Sequence, residues 1–336
     1  MIPWTQIAID AEIEGVETLN GIFLKNGFSH VHLSRVYDND GKRWFQIHTY
    51  LPTDETIERR KKALEKDLWH LTAFDLCAMT EPVYTTLSDL PIHEDEKLVA
   101  RVTDAVAIVP PESTFRPAEG IVVVQRNTAS FGTGLHPSTK LAVEALSVVS
   151  PAGKTVIDVG TGTGILAIVA AKLGARTVEG IDIDAQAAAD ATANVALNQT
   201  NTQSLAISIS HASVTDVSIQ YDLVIANLPA SLLIHHHRSL INLLHVESHL
   251  VLSGMTATQV PAVRQVFEAQ RLEKVAEIED NDWKSLIYRK APEYQDKTAG
   301  EAPRGDKKQK SGGNPSQSGP DHRRADQADS GQGKNR

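Results

Sequence analysis

Residues 155–184 hold the pattern that most restricts what this chain can become. A short apolar strand, Thr155 to Val159, runs into a turn containing Gly160, Gly162 and Gly164, and a helical run follows from Ile165. A second apolar strand, Thr177 to Ile181, ends in Asp182, with Asp184 two residues on. Strand, glycine turn, helix, strand and acid in this order describe a nucleoside cofactor bound at the carboxyl edge of a parallel sheet. The glycines let the chain turn tightly and let a ligand touch backbone with no Cβ in the way. The acid can accept both hydroxyls of a ribose. Asp158, two residues before Gly160, either reaches a cationic group of the ligand or braces the turn. From Gly162 the chain also fits the looser dinucleotide form, Gly162-x-Gly164-x-x-Ala167. The block alone therefore admits either a nicotinamide dinucleotide or S-adenosylmethionine.

The chain has 336 residues, 41% of them apolar, enough for one or two ordinary cores. A formal net charge of −9 argues against a nucleic-acid surface as its main business. The single cysteine, Cys77, rules out an internal disulfide and a cysteine metal cluster, fits a reducing cytosol and reads as a small core residue. No signal peptide and no membrane-length apolar run is visible, so a soluble cytoplasmic protein is expected.

Residues 1–95 alternate strand and helix patterns. Gln6 to Asp10, Ser29 to Val36, Trp44 to Leu51 and Ala78 to Thr85 read as strands. Val16 to Asn26 and Thr56 to Leu71 read as helices, the first with Leu19, Phe23 and Leu24 on one face. The order β-α-β-β-α-β is the ferredoxin-like plan. Residues 96–128 read as a β-rich connector split by Pro110, Pro111 and Pro117. Residues 129–290 alternate strands near Thr155, Thr177, Leu205, Tyr221, Ser248, Lys274 and Lys284 with helices from near Pro137, Gly164, Ala185, Leu232 and Thr258. That is a doubly wound α/β pattern. Residues 291–336 are rich in Gly, Ser, Gln, Lys and Asp, with almost no large apolar side chains, and read as a disordered tail.

A second constellation, Phe131-Gly132-Thr133-Gly134-Leu135-His136-Pro137-Ser138-Thr139, precedes the α/β region. Its proline suits the first turn of a helix, and the loop before it is placed to cover the cofactor. After the fourth strand of that region comes Asn227-Leu228-Pro229-Ala230, a polar residue where the doubly wound fold does its chemistry. Asn227 can accept N–H bonds from an amine, or it can cap the next helix.

These blocks resemble the bacterial ribosomal protein L11 methyltransferases, which use S-adenosylmethionine to methylate amino groups of a large-subunit ribosomal protein. The family's Phe-Gly-Thr-Gly-Thr-His-Pro-Thr-Thr loop is matched by Phe131 to Thr139, with Leu135 and Ser138 as the differences. Its Val-Ile-Asp-hydrophobic-Gly-x-Gly-x-Gly block is matched from Val156, its Gly-Ile-Asp-Ile-Asp by Gly180 to Asp184, and its Leu-Ser-Gly strand end by Leu252 to Gly254. The likeness runs from about Ile2 to Lys290 and is general rather than specific over the first 110 residues. Where the family usually reads Asn-Ile-Leu-Ala, this chain has Asn227-Leu228-Pro229-Ala230, and proline removes an N–H from the lip of the amine pocket.

The resemblance implies a seven-stranded Rossmann-like methyltransferase fold behind a small α+β domain that grips the ribosomal protein, acting as a monomer and needing no direct contact with nucleic acid. It implies cofactor contacts at Thr139, Gly160, Asp182 and Asn227. Phe131, Gly132, Thr133, Asp158, Gly162 and Gly164 join them from the reading of the loop and turn. Asn227 is the expected catalytic residue, orienting the amine, and no side chain stands out as a general base. Lysine and N-terminal amines are the expected acceptors. Another protein's lysine, a small amine and a nicotinamide-dependent oxidoreductase are the alternatives. No metal site is expected. His235, His236 and His237 lack the carboxylate of a His-Glu-x-x-His pair and read as a histidine cluster. Trp44, Trp69 and Phe74 read as packing residues, and the basic run Arg59 to Lys62 as a solvated face.

Overall fold

Strict alternation of burial marks the first strand. In β1 (Trp4–Glu12), Thr5, Ile7, Ile9 and Ala11 turn inward and the residues between them stay part-exposed. One face of this strand must be covered, and two helices cover it. The computed structural model describes residues 3–28, 31–39, 42–74, 77–88, 100–115, 117–199, 205–270 and 272–292. The expected tail beyond residue 292 lies outside them.

The N-terminal layer follows the order β1, α1 (Val16–Lys25), β2 (Val31–Asn39), β3 (Lys42–Pro52), α2 (Ile57–Ala73) and β4 (Val83–Leu87). Its sheet order is β2-β3-β1-β4, antiparallel throughout, as the ferredoxin-like plan requires. Val16, Leu19 and Phe23 of α1 and Leu64, Leu68 and Leu71 of α2 pack on Ile7, Ile9, Phe45 and Ile47. Cys77 is a buried free thiol in the same core.

Two expectations need correction here. The closing strand begins at Val83 rather than Ala78, with only Met79 bridging to Ala11 before it. Pro82 has no N–H to give a ladder at that point. Trp69 and Phe74 are not packing residues, being 62% and 68% exposed. Trp69 follows Leu68 by one residue, about 100° around the helix from the buried stripe.

A three-stranded sheet comes next, β5 (Ala100–Thr103), β6 (Val106–Val109) and β7 (Ile121–Val124), in that order. Its Val102, Val106, Ile108 and Val123 share a hydrophobic cluster with the first helices of the α/β region.

The large sheet has the order β10-β9-β8-β11-β12-β14-β13. Its strands are β8 (Thr155–Val159), β9 (Thr177–Asp182), β10 (Ile207–His211), β11 (Tyr221–Asn227), β12 (Leu244–Thr256), β13 (Leu272–Asp280) and β14 (Trp283–Lys290). The first five are parallel, and β14 runs antiparallel to both neighbours. The central strands are apolar on both faces because both are covered. On one face Val156, Val178, Leu223 and Ile225 meet α3 (Pro137–Val149), α4 (Ile165–Lys172) and α5 (Ala185–Asn198). On the other Ile157, Val224 and Leu250 meet α6 (Ala230–Asn242) and α7 (Val260–Glu268). Strand order reverses between β8 and β11, which opens a crevice at their carboxyl ends. Among the described residues, no helix is long and apolar enough to cross a membrane.

Candidate methyl-donor and amine site

The crevice is lined by the ends of β8, β9 and β11, and a short turn ties the first two together. The N–H groups of Gly160 and Thr161 both donate to the Ile181 carbonyl at 2.9 Å. Gly160, Gly162 and Gly164 all have positive φ, at 73°, 55° and 83°. The requirement is sharpest at Gly162, where a Cβ would stand 2.3 Å from the Phe131 carbonyl oxygen. That closeness brings the 131–139 loop directly onto the glycine turn, and Thr163 fastens it. The Thr163 N–H donates to the Phe131 carbonyl and its hydroxyl to the Gly132 carbonyl, both at 2.9 Å.

Asp182 and Asp184 divide their work. Asp184 caps α5, accepting the Gln186 N–H at 2.8 Å. Asp182 accepts the Gly162 N–H at Oδ2 (2.9 Å) and the Asp184 N–H at Oδ1 (3.0 Å). Each carboxylate oxygen carries two lone pairs, so each keeps capacity for a hydroxyl donor. Ile183 beside it is 73% exposed, and its carbonyl meets the His211 ring at 3.0 Å.

Asp158 is buried. Its Oδ2 accepts the Thr161 hydroxyl at 2.7 Å, so one oxygen braces the turn. Its Oδ1 is buried without a hydrogen-bond partner. Burial pushes the carboxyl up to about 7, against the lowering effect of the Thr161 hydroxyl and the Ala167 amide, and the Asp182 charge adds to the rise.

Asn227 ends β11 and pairs in register with Ser253 of β12. It does not cap α6, because Pro229 holds that position and its carbonyl accepts the Leu232 and Leu233 N–H groups. Asn227 Oδ1 is buried with no partner. The Leu228 side chain lies over Gly160, where an added Cβ would stand 2.4 Å from Leu228 Cδ2.

His136 caps α3, its Nδ1 accepting the Ser138 N–H at 3.2 Å, and Pro137 opens the helix. Burial drives the imidazole down to about 4, so it is neutral at physiological pH. Its ring meets Trp283 edge-on at 4.5 Å between centroids. Thr139, one turn in, is fully buried with Oγ1 unpartnered. The neighbouring Ser138 carbonyl accepts the Ser253 hydroxyl at 2.8 Å, which ties α3 to the strand beside Asn227.

Three buried polar atoms at this crevice, Thr139 Oγ1, Asp158 Oδ1 and Asn227 Oδ1, thus lack a partner within the protein. A buried polar atom left unpaired is costly, so three of them at the start of α3 and near the carboxyl ends of β8 and β11 fit a ligand that supplies donors there. Of the other expected residues, Phe131 is 43% exposed at the mouth, and Gly132 and Thr133 turn their N–H groups away toward Glu17 of α1. Glu17 is the residue that sequence reasoning missed. The available signal was Asn20, a polar residue on the apolar face formed by Val16, Leu19 and Phe23, which betrays a polar contact on that side of α1. Among the described residues, no cluster of His, Cys, Asp or Glu could hold a metal.

Comparison with known proteins agrees with this geometry. The sequence profile of the family "Ribosomal protein L11 methyltransferase (PrmA)" matches residues 3–291. A ribosomal protein L11 methyltransferase of Chloroflexus aurantiacus is 30% identical over 327 residues, covering 85% of this chain and 98% of that protein. One from Streptococcus uberis is 29% identical over 315 residues, covering 86% and 97%. The crystal structure of the ribosomal protein L11 methylase from Lactobacillus delbrueckii subsp. bulgaricus superposes with a TM-score of 0.53 at 28% identity, covering 58% of this chain and 99% of that one. The oxidoreductase reading is not favoured by any of these. A doubly wound sheet with an antiparallel seventh strand, its carboxyl-edge crevice and a profile match spanning nearly every described residue place this chain in the ribosomal protein L11 methyltransferase family.

Proposed function

We propose that the chain transfers methyl groups from S-adenosylmethionine to amino groups of ribosomal protein L11, lysine side chains and the N-terminus among them. The observation that carries the site assignment is the trio of unpartnered buried atoms on α3, β8 and β11, together with the Asp182 carboxylate at the end of β9, which keeps free lone pairs. Asp182 takes the two ribose hydroxyls. Asp158 Oδ1 takes the ammonium of the cofactor's amino-acid part, directly or through water, and Thr139 Oγ1 hydrogen-bonds the same part. Gly160, Gly162 and Gly164 let that part approach the backbone. Phe131, Gly132 and Thr133 close the mouth, and Ile183 offers an apolar face for adenine.

When bound, S-adenosylmethionine supplies a sulfonium methyl already activated for transfer, so the protein's work is binding, orientation and exclusion of water. Asn227 Oδ1 would accept an N–H of the incoming amine and so orient it. The Leu228 carbonyl adds a second acceptor. An amine of pKa ~10.4 must lose a proton before it attacks, and desolvation in the crevice favours the neutral form. Water takes that proton, since His136 is buried in its capping role. Pro229 stiffens the lip of the pocket just beyond Asn227 and leaves the acceptor groups of Asn227 in place.

Calorimetry with S-adenosylmethionine and NAD tests the reading. Binding of the first only, abolished by Asp182→Ala, is expected. Binding of NAD, or donor binding indifferent to Asp182, would refute it.

A further inference from the structure

Helix α1 does more than pack on its sheet. Two of its polar side chains reach the segment that leads into α3. Asn20 Nδ2, buried, donates to the Thr128 carbonyl at 2.8 Å. Glu17 accepts three hydrogen bonds from the loop, the Gly132 N–H at Oε2 (3.2 Å) and the Thr133 N–H and hydroxyl at Oε1 (2.9 and 2.8 Å). Leu135 of the same loop packs against the N-terminal hydrophobic cluster. From the opposite side, the Gly132 carbonyl accepts the Thr163 hydroxyl and the Gln125 side-chain amide at 2.9 and 2.7 Å. One peptide is therefore held between α1 and the glycine turn.

The choice of residue is informative. Among the described residues no cation pairs with Glu17, so the loop's dipoles alone balance its charge. Burial pushes the carboxyl up to about 7, and the Thr133 and Gly132 donors pull it back only in part. A helix that merely had to pack would not carry this cost. A carboxylate accepting three donors fixes the position of the peptide that bears them.

We infer that Glu17 is a positioning residue of the methyl-donor site, setting residues 131–134 against the glycine turn, so that the N-terminal layer belongs to the donor site as well as to acceptor recognition. The inference rests on the donor-site reading above. It makes donor and acceptor binding thermodynamically linked. Whatever engages or displaces the N-terminal layer changes donor affinity, and the donor changes acceptor affinity by the same factor.

The test uses the full-length protein with S-adenosylmethionine as ligand. Donor Kd, donor KM, kcat and amide hydrogen exchange at Gly132 and Thr133 are measured for wild type, Glu17→Ala and Glu17→Gln. Loss of three bonds to a charged acceptor should raise donor Kd and KM about tenfold or more in Glu17→Ala and speed exchange at both amides, with kcat at saturating donor within about threefold. Glu17→Gln keeps the Oε1 acceptor, so it should recover to within about fivefold of wild type and leave only Gly132 exchanging faster. A folded Glu17→Ala protein with donor Kd and KM within twofold of wild type overturns the inference. If that variant does not fold, Glu17→Gln decides, and unchanged donor affinity with unchanged Gly132 exchange overturns it. Wild type that binds no donor, or binds it equally well after Asp182→Ala, would instead sink the donor-site reading beneath it.

Discussion

Asp158 should make the free protein less stable as pH rises, and the size of the effect follows from its surroundings. Its carboxyl stands at about 7 in the fold against an ordinary value of 3.8, chiefly through burial. A raised folded pKa favours the protonated form. Its contribution to stability is fully present below about pH 4 and is lost as pH rises through 7. About three pKa units at 1.36 kcal/mol each give roughly 4 kcal/mol. Asp158→Asn stays neutral throughout, so the stability difference between variant and wild type should shift by that amount, in the variant's favour, between pH 4 and pH 8. At roughly 2–4 °C per kcal/mol, this is a relative Tm change near 10 °C. Glu17 adds a slope of the same sign to both proteins and cancels in the difference. Thermal unfolding followed by circular dichroism from pH 4.5 to 8.5, without donor, reads it directly. Wild-type and variant Tm curves that run parallel would refute the argument. The variant should also bind the donor more weakly, because a neutral amide that still accepts the Thr161 hydroxyl with its one oxygen leaves an NH2, not an acceptor, for the donor's cation.

Three further outcomes follow from single contacts. Gly162→Ala places a Cβ 2.3 Å from the Phe131 carbonyl at a φ of 55°, so calorimetry should find donor affinity reduced at least a hundredfold, with a Tm lower by several degrees. Asn227→Ala should lower the methyl-transfer kcat at least tenfold while donor Kd moves less than fivefold, as stopped-time assays and calorimetry would record. Asp280 sits 12% exposed between Lys140 at 2.9 Å and Arg43 at 3.4 Å. Burial works to raise its carboxyl, but the two cations outweigh it and hold the group below its ordinary value. Its stabilisation is therefore present at neutral pH and lost in acid, so Asp280→Asn should cost about 1–2 kcal/mol in urea unfolding at pH 7 and progressively less toward pH 3.

What the sequence disclosed and what it withheld differ by range. The glycine turn, the acid at the end of β9 and the alternation of Ile7, Ile9 and Ala11 are local patterns, and each was legible because a neighbour a few residues away sets its geometry. Burial of both faces explains why β8 and β11 read as continuous apolar runs. Asp184, the second acid of the same block, is a helix cap, a role the sequence did not separate from that of Asp182. Trp69 and Phe74 misled because aromatic residues are usually inside, although Trp69, one residue after Leu68, already lies off the buried stripe of α2, and Phe74 falls just past its end. Glu17 itself was missed for a different reason, Asn20 marking only the side of α1 on which it lies. Its partners lie 115 and 116 residues away, and only the fold brings an acid on α1 to the loop before α3. The unpartnered atoms of Thr139, Asp158 and Asn227 likewise appear only once the elements have packed.

Intact-mass spectrometry of purified ribosomal protein L11 after incubation with this protein and S-adenosylmethionine tests the central claim most directly. Mass gains in whole methylene steps, abolished by Asp182→Ala and strongly reduced by Asn227→Ala, are the expected result. An unmodified substrate in the presence of protein that binds the donor normally would contradict the account.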